Sequence, residues 1–422
     1  GATITNNGTA VGLGRTGTVD WATTPVTATF TASSGVGYFA NTSGGTAFNM
    51  NLPAGVAGAI VSVADYAATF QTTSLTVVPN GTDKIGSVNA NVILNTEGQS
   101  VTFVYVDSTQ GWINTMDSTS NERGNSNLVA TVSGACNTLV TAPCCANVKI
   151  ATFTGPGSFI VSATSLVAAE NTVGYMVIAG GAGGGFGTTG GGGAGGYREG
   201  RNASVDNYTA SPLGAVAPVN AVTVTAQSYP IAIGGGGPGA SNDSSKGTNG
   251  GNSTFDSIVA AGGGGGGSDG SGNGVAGGSG GGGANGGTGA NGNTPPVSPS
   301  QGNPGASASA SSPSGSGGGG AGASGGANSG PDGGPGGAGT TNSITGSSVT
   351  RAGGGGGGSR PGPNSSGGSG GGGAGGNPGG VGGNGTDNTG GGGGSGQGAT
   401  PSPAGNGRIG GSGIVIIRYK FQ

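Results

Sequence analysis

The pattern of apolar and polar positions changes near residue 180. From Trp21 onward, short stretches rich in Val, Ile, Thr and aromatic residues occupy 26–31, 38–41, 47–52, 60–66, 75–78, 92–94 and 101–107, and 109–114 follows. Gly, Pro, Asn or Ser stands between them. A recurrence of about ten residues with turn formers between predicts an all-β module, an antiparallel sandwich or barrel, over 21–116. Residues 1–20 are small and polar and read as an N-terminal arm. Residues 117–147 read as a polar connector with a cysteine loop, with candidate strands at 128–132 and 148–153. Residues 153–161, turning at Gly155-Pro156-Gly157, read as strand, turn, strand.

Beyond residue 180 neither periodicity survives. Glycine dominates 180–413, with uninterrupted runs at 262–267, 353–358 and 391–394, and a run without side chains can form neither an amphipathic helix nor an alternating strand. Two readings compete. A Gly/Ser tract is ordinarily a flexible linker, because glycine loses the most conformational freedom on folding and buries nothing. The alternative is a bundle of polyglycine II helices, left-handed with about three residues per turn and about 3.1 Å rise, each N–H and C=O paired to a neighbouring segment. Patterning favours the bundle. Strand-like lead-ins at 252–261 and 342–352 each feed a six-glycine run, and 175–181 is a looser third copy. The scattered Ala, Ser, Asn and Thr of 276–279 and 286–291 then mark outward positions. Collagen is excluded, since no Gly-X-Y register holds and the 21 prolines are an ordinary number.

The body is bracketed by two apolar runs, Tyr175-Met176-Val177-Ile178-Ala179 and Ile414-Val415-Ile416-Ile417-Arg418-Tyr419. They are expected to lie together and close a glycine-rich domain spanning 148–422, with essentially no α-helix anywhere. Proline-bearing loops at 294–299, 360–364 and 400–403 are expected between rods, and Tyr197-Arg198 is expected to lie as a lid over rod ends.

Composition narrows the function. Charged residues are only 6% and the net charge is −3, with 12 Lys and Arg in 422 residues, too few for a phosphate-tracking surface, so nucleic acid is not an expected partner. No apolar run approaches the roughly 20 residues that span a bilayer, and no signal-like pattern begins at Gly1. Cys136 can bridge to Cys144 or Cys145 across a short loop, leaving one thiol free or paired between chains; free thiols throughout are the other reading. With no histidine and three thiols, zinc is poorly supported.

Catalytic signatures are weak. Gly322-Ala323-Ser324-Gly325-Gly326 matches a nucleophile elbow only as chance allows in a glycine tract, and a serine triad lacks its histidine. No Gly-Lys pair exists for a phosphate loop. The calcium-loop start at Asp269 meets Gly280 where a bidentate Glu should stand. Asp65, Asp107 and Asp117 read as turn caps rather than a hydrolytic pair. The expectation is a non-enzyme without cofactor or metal.

Residues 47–52 and 61–66, and above all Thr102-Phe103-Val104-Tyr105-Val106-Asp107 with Gln110-Gly111-Trp112, resemble a module of tail-fibre proteins of marine phages, cyanophages especially. Residues 152–157, 175–181, 195–198 and 411–419 resemble the glycine-rich domain that often follows it. The resemblance implies a virion fibre or adhesin, a homotrimer among other tail or fibre proteins, that meets a host surface glycan or protein. Receptor contacts are expected on the proline-bearing loops, at Pro295, Pro296, Ser298, Asn303, Arg360 and Asn364. A secreted extracellular filament or matrix protein is the alternative.

Overall fold

The computed structural model describes residues 19–118, 127–165, 167–201, 203, 206–216, 221–270, 272–397 and 405–421. Most of the expected arm and the 400–403 loop fall outside these. The chain divides into two compact units, Gly1–Arg123 and Gly124–Gln422. Each is all-β; among the described residues the only helical turn is a 3-10 turn at Ala168–Asn171.

The first unit contains β1 (Asp20–Trp21), β2 (Phe30–Thr31), β3 (Val36–Ala40), β4 (Phe48–Asn51), β5 (Ile60–Asp65), β6 (Leu75–Val78), β7 (Val92–Leu94), β8 (Ser100–Tyr105) and β9 (Trp112–Ser118). They form two sheets, ordered β1-β3-β5-β8-β9 and β2-β4-β6-β7. Between them lies a core of Met50, Leu52, Val61, Val63, Phe70, Leu75, Val77, Phe103 and Trp112. The two-layered all-β expectation holds, but the pairing is not antiparallel throughout. β1, β3 and β5 pair in parallel, as do β2, β4 and β6; β7, β8 and β9 then pair antiparallel. The cause is the route of the chain. It crosses to the other sheet after each of the early strands, and a strand that returns only after a full circuit runs in the same direction as its neighbour.

In the second unit β10 (Val129–Val132), β11 (Thr138–Ala142), β12 (Cys145–Phe153) and β13 (Gly157–Ala163) come first, so most described residues of the expected connector are strand. β14 (Thr172–Ile178), β15 (Tyr197–Arg201), β16 (Ala215–Val216), β17 (Val222–Thr223), β18 (Ser228–Ala232), β19 (Ser253–Phe255) and β20 (Ile258–Ala260) follow. β21 (Thr340–Asn342) and β22 (Val349–Arg351) form a separate hairpin, and β23 (Ile414–Lys420) ends the series. One sheet runs β11-β12-β23-β14-β15-β16, the other β10-β13-β18-β19-β20. β23 enters between β12 and β14, with Gly174 opposite Arg418 and Ile178 opposite Ile414. The bracketing runs are therefore neighbours. Apart from Arg418 they are continuously apolar, because both faces are covered. Tyr175, Val177, Val415, Ile417 and Tyr419 enter one core, while Met176, Ile178, Ile414 and Ile416 enter the other.

From this base the chain leaves along 179–185, turns, and returns along 190–196 into β15. Ala179, Ala182 and Gly185 donate to the carbonyls of Gly196, Gly193 and Gly190. Gly180 and Gly183 donate to Gly251 and Thr248, and Gly181 and Gly184 to Gly411 and Arg408. The carbonyls of 180–185 accept from three further segments, through Gly263 and Gly266, Gly237 and Ala240, and Gly393 and Gly396. Partners repeat every third residue, the period of a polyglycine II helix, and six segments surround this one. The run 353–358 repeats the scheme: Gly353 and Gly356 bond to Gly370 and Gly373, Gly354 and Gly357 to Gly337 and Gly334, Gly355 and Gly358 to Gly192 and Thr189. The linker reading is overturned.

Space, not backbone conformation, demands glycine here. None of 180–185 or 353–358 has a positive φ. A Cβ on Gly181 would lie 2.0 Å from the Gly391 oxygen, and one on Gly354 2.2 Å from the Gly318 oxygen. Thr288 and Asn291 face outward as expected, whereas Ser279 is buried. Ala194, Ala321 and Ala352 are buried too, packed with Met176 and Ile178 where rods meet the sheet.

Candidate ligand-binding loops

Rods that alternate in direction bring their connecting loops out at two ends. One is the base, beside the sheets. The other is distal, about 19 Å away along a six-residue rod. At the base, the segment 287–292 runs in toward the sheets, and Asn293 and Thr294 donate to the Gly278 and Gly277 carbonyls at 2.8 and 3.0 Å. The loop that follows is shaped by two amides. Asn293, at φ 50, accepts from the Val297 and Gln301 N–H groups and donates to the Val297 carbonyl. Buried Gln301 donates from Nε2 to the Pro295 carbonyl at 2.8 Å and accepts from the Ala261 N–H at 2.9 Å, while its own carbonyl takes the Tyr197 N–H. The loop is thus riveted to a rod and to β15.

Pro295, Pro296 and Ser298 stand exposed on this support. Of the three, Pro296 lines an open basin of about 490 Å³, together with Asn291, Asn293, Thr294, Ser300 and Asn303 among others. Asn303 is committed on its donor side, with Nδ2 giving hydrogen bonds to the Gly320 and Ala321 carbonyls at 3.0 and 2.9 Å. Its Oδ1 remains as an acceptor. The structure therefore gathers Pro295, Pro296, Ser298 and Asn303, but places Arg360 and Asn364 elsewhere. Those two follow Gly358, which bonds to Thr189 at the distal turn, and the Arg360 N–H donates to the Pro331 carbonyl at 2.8 Å. Arg360 also opposes the upward push that burial and Asp243 exert on the Asp269 carboxyl. Asp269 Oδ1 is held by Asn285 Nδ2 at 3.1 Å.

The three cysteines are free. Cys136 lies beside Thr154, whose Oγ1 donates to its carbonyl at 3.0 Å; Cys145 lies opposite Ala142. All of β11 stands between them, about 17 Å of extended chain against the roughly 7 Å that a disulfide spans between Cα atoms. The bridge allowed by sequence spacing is therefore not formed. The acids weighed as a hydrolytic set are engaged one by one. Asp65 accepts from the Phe70 and Gly98 N–H groups, Asp107 from those of Thr109 and Gln110, and Asp117 from Gln99 Nε2.

Sequence reasoning missed a buried polar network on the rod-facing side of the large sheet. The Tyr197 ring packs with Ala194, Ala321 and Ala352 at the rod ends, and its hydroxyl donates to Glu199 Oε2 at 2.8 Å. Asn342 Nδ2, from the β21–β22 hairpin, donates to the Tyr197 hydroxyl and to Glu199 Oε1 at 2.9 and 3.1 Å. Arg418, 1% exposed, pairs with Asp206 at 2.5 Å and donates to the Ile344 carbonyl at 3.1 Å. Burial pushes the Tyr197 and Tyr208 hydroxyls well up, so both stay neutral and able to donate. One signal was available: Arg418 interrupts an apolar run, and a buried charge requires a partner.

A family model described as a glycine-rich domain matches residues 154–420. No curated protein matches the chain.

Proposed function

This chain belongs to the glycine-rich domain family, and we propose that it is a non-enzymatic, receptor-binding structural subunit of a phage tail fibre, extracellular on the virion and trimeric with itself. The observation that carries the reading is the base basin. Its walls are amides, hydroxyls, backbone at glycines and the rings of Pro296 and Pro304, with no charged residue among those lining it. Such a surface suits a neutral host saccharide, whose hydroxyls need fixed donors and acceptors and whose C–H faces pack on flat apolar rings. Clamping by Asn293 and Gln301 prepays the ordering of the loop, which is where binding free energy is otherwise lost. Engagement of Asp65, Asp107 and Asp117 in separate local contacts supports a non-hydrolytic role.

The test is binding of labelled protein to candidate bacterial cells and their purified surface polysaccharide. Asn291→Ala combined with Pro296→Ala, both on the basin wall, should weaken binding at least about tenfold with the melting temperature unchanged. Arg360→Ala with Asn364→Ala serves as the distal-end control. Equal binding by all three proteins would remove the basin as the receptor site, and loss in the distal variant alone would move the site to the other end of the rods.

A further inference from the structure

The tight turn between β11 and β12 places Cys144 and Cys145 side by side, with Cys145 Sγ donating to Cys144 Sγ at 2.8 Å. Cys144 is exposed and Cys145 half-buried, so a small reagent reaches them from solvent. Behind them stands the buried guanidinium of Arg418, whose Nη2 lies 3.6 Å from each sulfur. Asp206 and the Ile344 carbonyl hold that guanidinium in place. A cation fixed within reach of two adjacent thiols favours the thiolate, the nucleophile of disulfide exchange.

We propose that Cys144 and Cys145 form a redox-modification site that closes to a vicinal disulfide by exchange with a small-molecule disulfide such as oxidised glutathione. Cys144 is the attacking group. The hydrogen bond from Cys145, with Arg418 beside it, holds the Cys144 thiol below its usual range, and the same contact pushes Cys145 up. The Cys144 thiolate attacks one sulfur of the oxidant, forming a mixed disulfide and releasing one glutathione thiolate. Cys145 then gives its proton to that thiolate and attacks Cys144 Sγ, expelling the second glutathione. Two thiols become one disulfide, and one oxidised glutathione becomes two reduced molecules. Cys136, at the far end of β11, takes no part.

The full-length protein, incubated with oxidised glutathione, trapped with iodoacetamide and mapped by peptide mass, reads the outcome. Two of the three thiols should be lost to alkylation, within one peptide lighter by two hydrogens, and the native mass of the assembly should not change. Cys136→Ser should leave this result intact. Cys145→Ser should stall as a stable glutathione adduct on Cys144. Persistent alkylation of both residues, a lasting glutathione adduct in the unmodified chain, or a bridge from either residue to another chain would each overturn the proposal.

Discussion

A strand of the base and a rod of the glycine body are both extended segments that satisfy their backbone through neighbours, yet they make opposite demands on side chains. In the base, neighbours lie in one plane about 4.8 Å apart and the faces of packed sheets stand about 10 Å apart, so every side chain has a layer to fill. Ile416 fills such a layer, fully buried in register with Met176. In the body, hydrogen bonds leave each rod in several directions, and a central rod has neighbours on all sides. No layer is left over. The sheets are held by apolar burial; the rods are held by hydrogen bonds worth about 0.5–1.5 kcal/mol net each, set against about 1–2 kcal/mol for ordering each residue. Rods therefore persist only in an array in which most backbone groups find partners.

The largest effect should come from giving a central rod a side chain. Gly181→Ala places a methyl 2.0 Å from the Gly391 oxygen, between two backbones that can separate only by parting two rods. It should destabilise the second unit by more than about 4 kcal/mol, measured by chemical denaturation. A smaller loss would mean that the array yields more readily than its packing implies. Next comes the base. Ile416→Ala removes buried methyl groups without blocking any hydrogen bond and should cost about 3 kcal/mol in the same assay. The smallest effect tests whether space alone is the criterion. Gly235 would set its Cβ in open space, with nothing within 4 Å, whereas its neighbour Gly234 would meet the Gly251 oxygen at 1.9 Å. Gly235→Ala should be neutral or stabilise by up to about 1 kcal/mol by restricting the unfolded chain. Marked destabilisation there would show that glycine is needed for more than close approach.

Much of the base was legible. A continuous apolar run flanked by glycine, met twice, is what a strand covered on both faces requires, and the two runs pair residue for residue. Composition alone left the rods in competition with a flexible linker, and the strand-like lead-ins at 252–261 and 342–352 were the signal that favoured rods. What was not legible depended on partners far away in sequence. Nothing local distinguishes β3 and β5 as a parallel pair, because direction is set by the circuit between them. Gln301 looks like any loop residue until Ala261 and Pro295 are seen to converge on it. Glu199 and Asn342, and likewise Asp206 and Arg418, are far apart along the chain and meet only once the β21–β22 hairpin and the 206–211 loop are laid beside the large sheet. Asn303 has the sequence setting of a contact residue, yet its donors hold a neighbouring rod end.

The residue pattern alone committed the glycine runs within 180–413 to packing without side chains and the two bracketing runs to a buried sheet, since each follows from which side chains are present or missing; the strands between the runs, with Tyr229, Ile231 and Phe255, join the apolar core of the base. The pattern did not settle which rod lies beside which, nor at which end each loop emerges. Glycine offers the same N–H and C=O to every neighbour, so no side chain selects a partner along a run. Rod order and direction come instead from the lengths of the turns and from anchoring in the base. For that reason the loop around Pro296 and the loop around Arg360, both proline-bearing, lie at opposite ends of the rods.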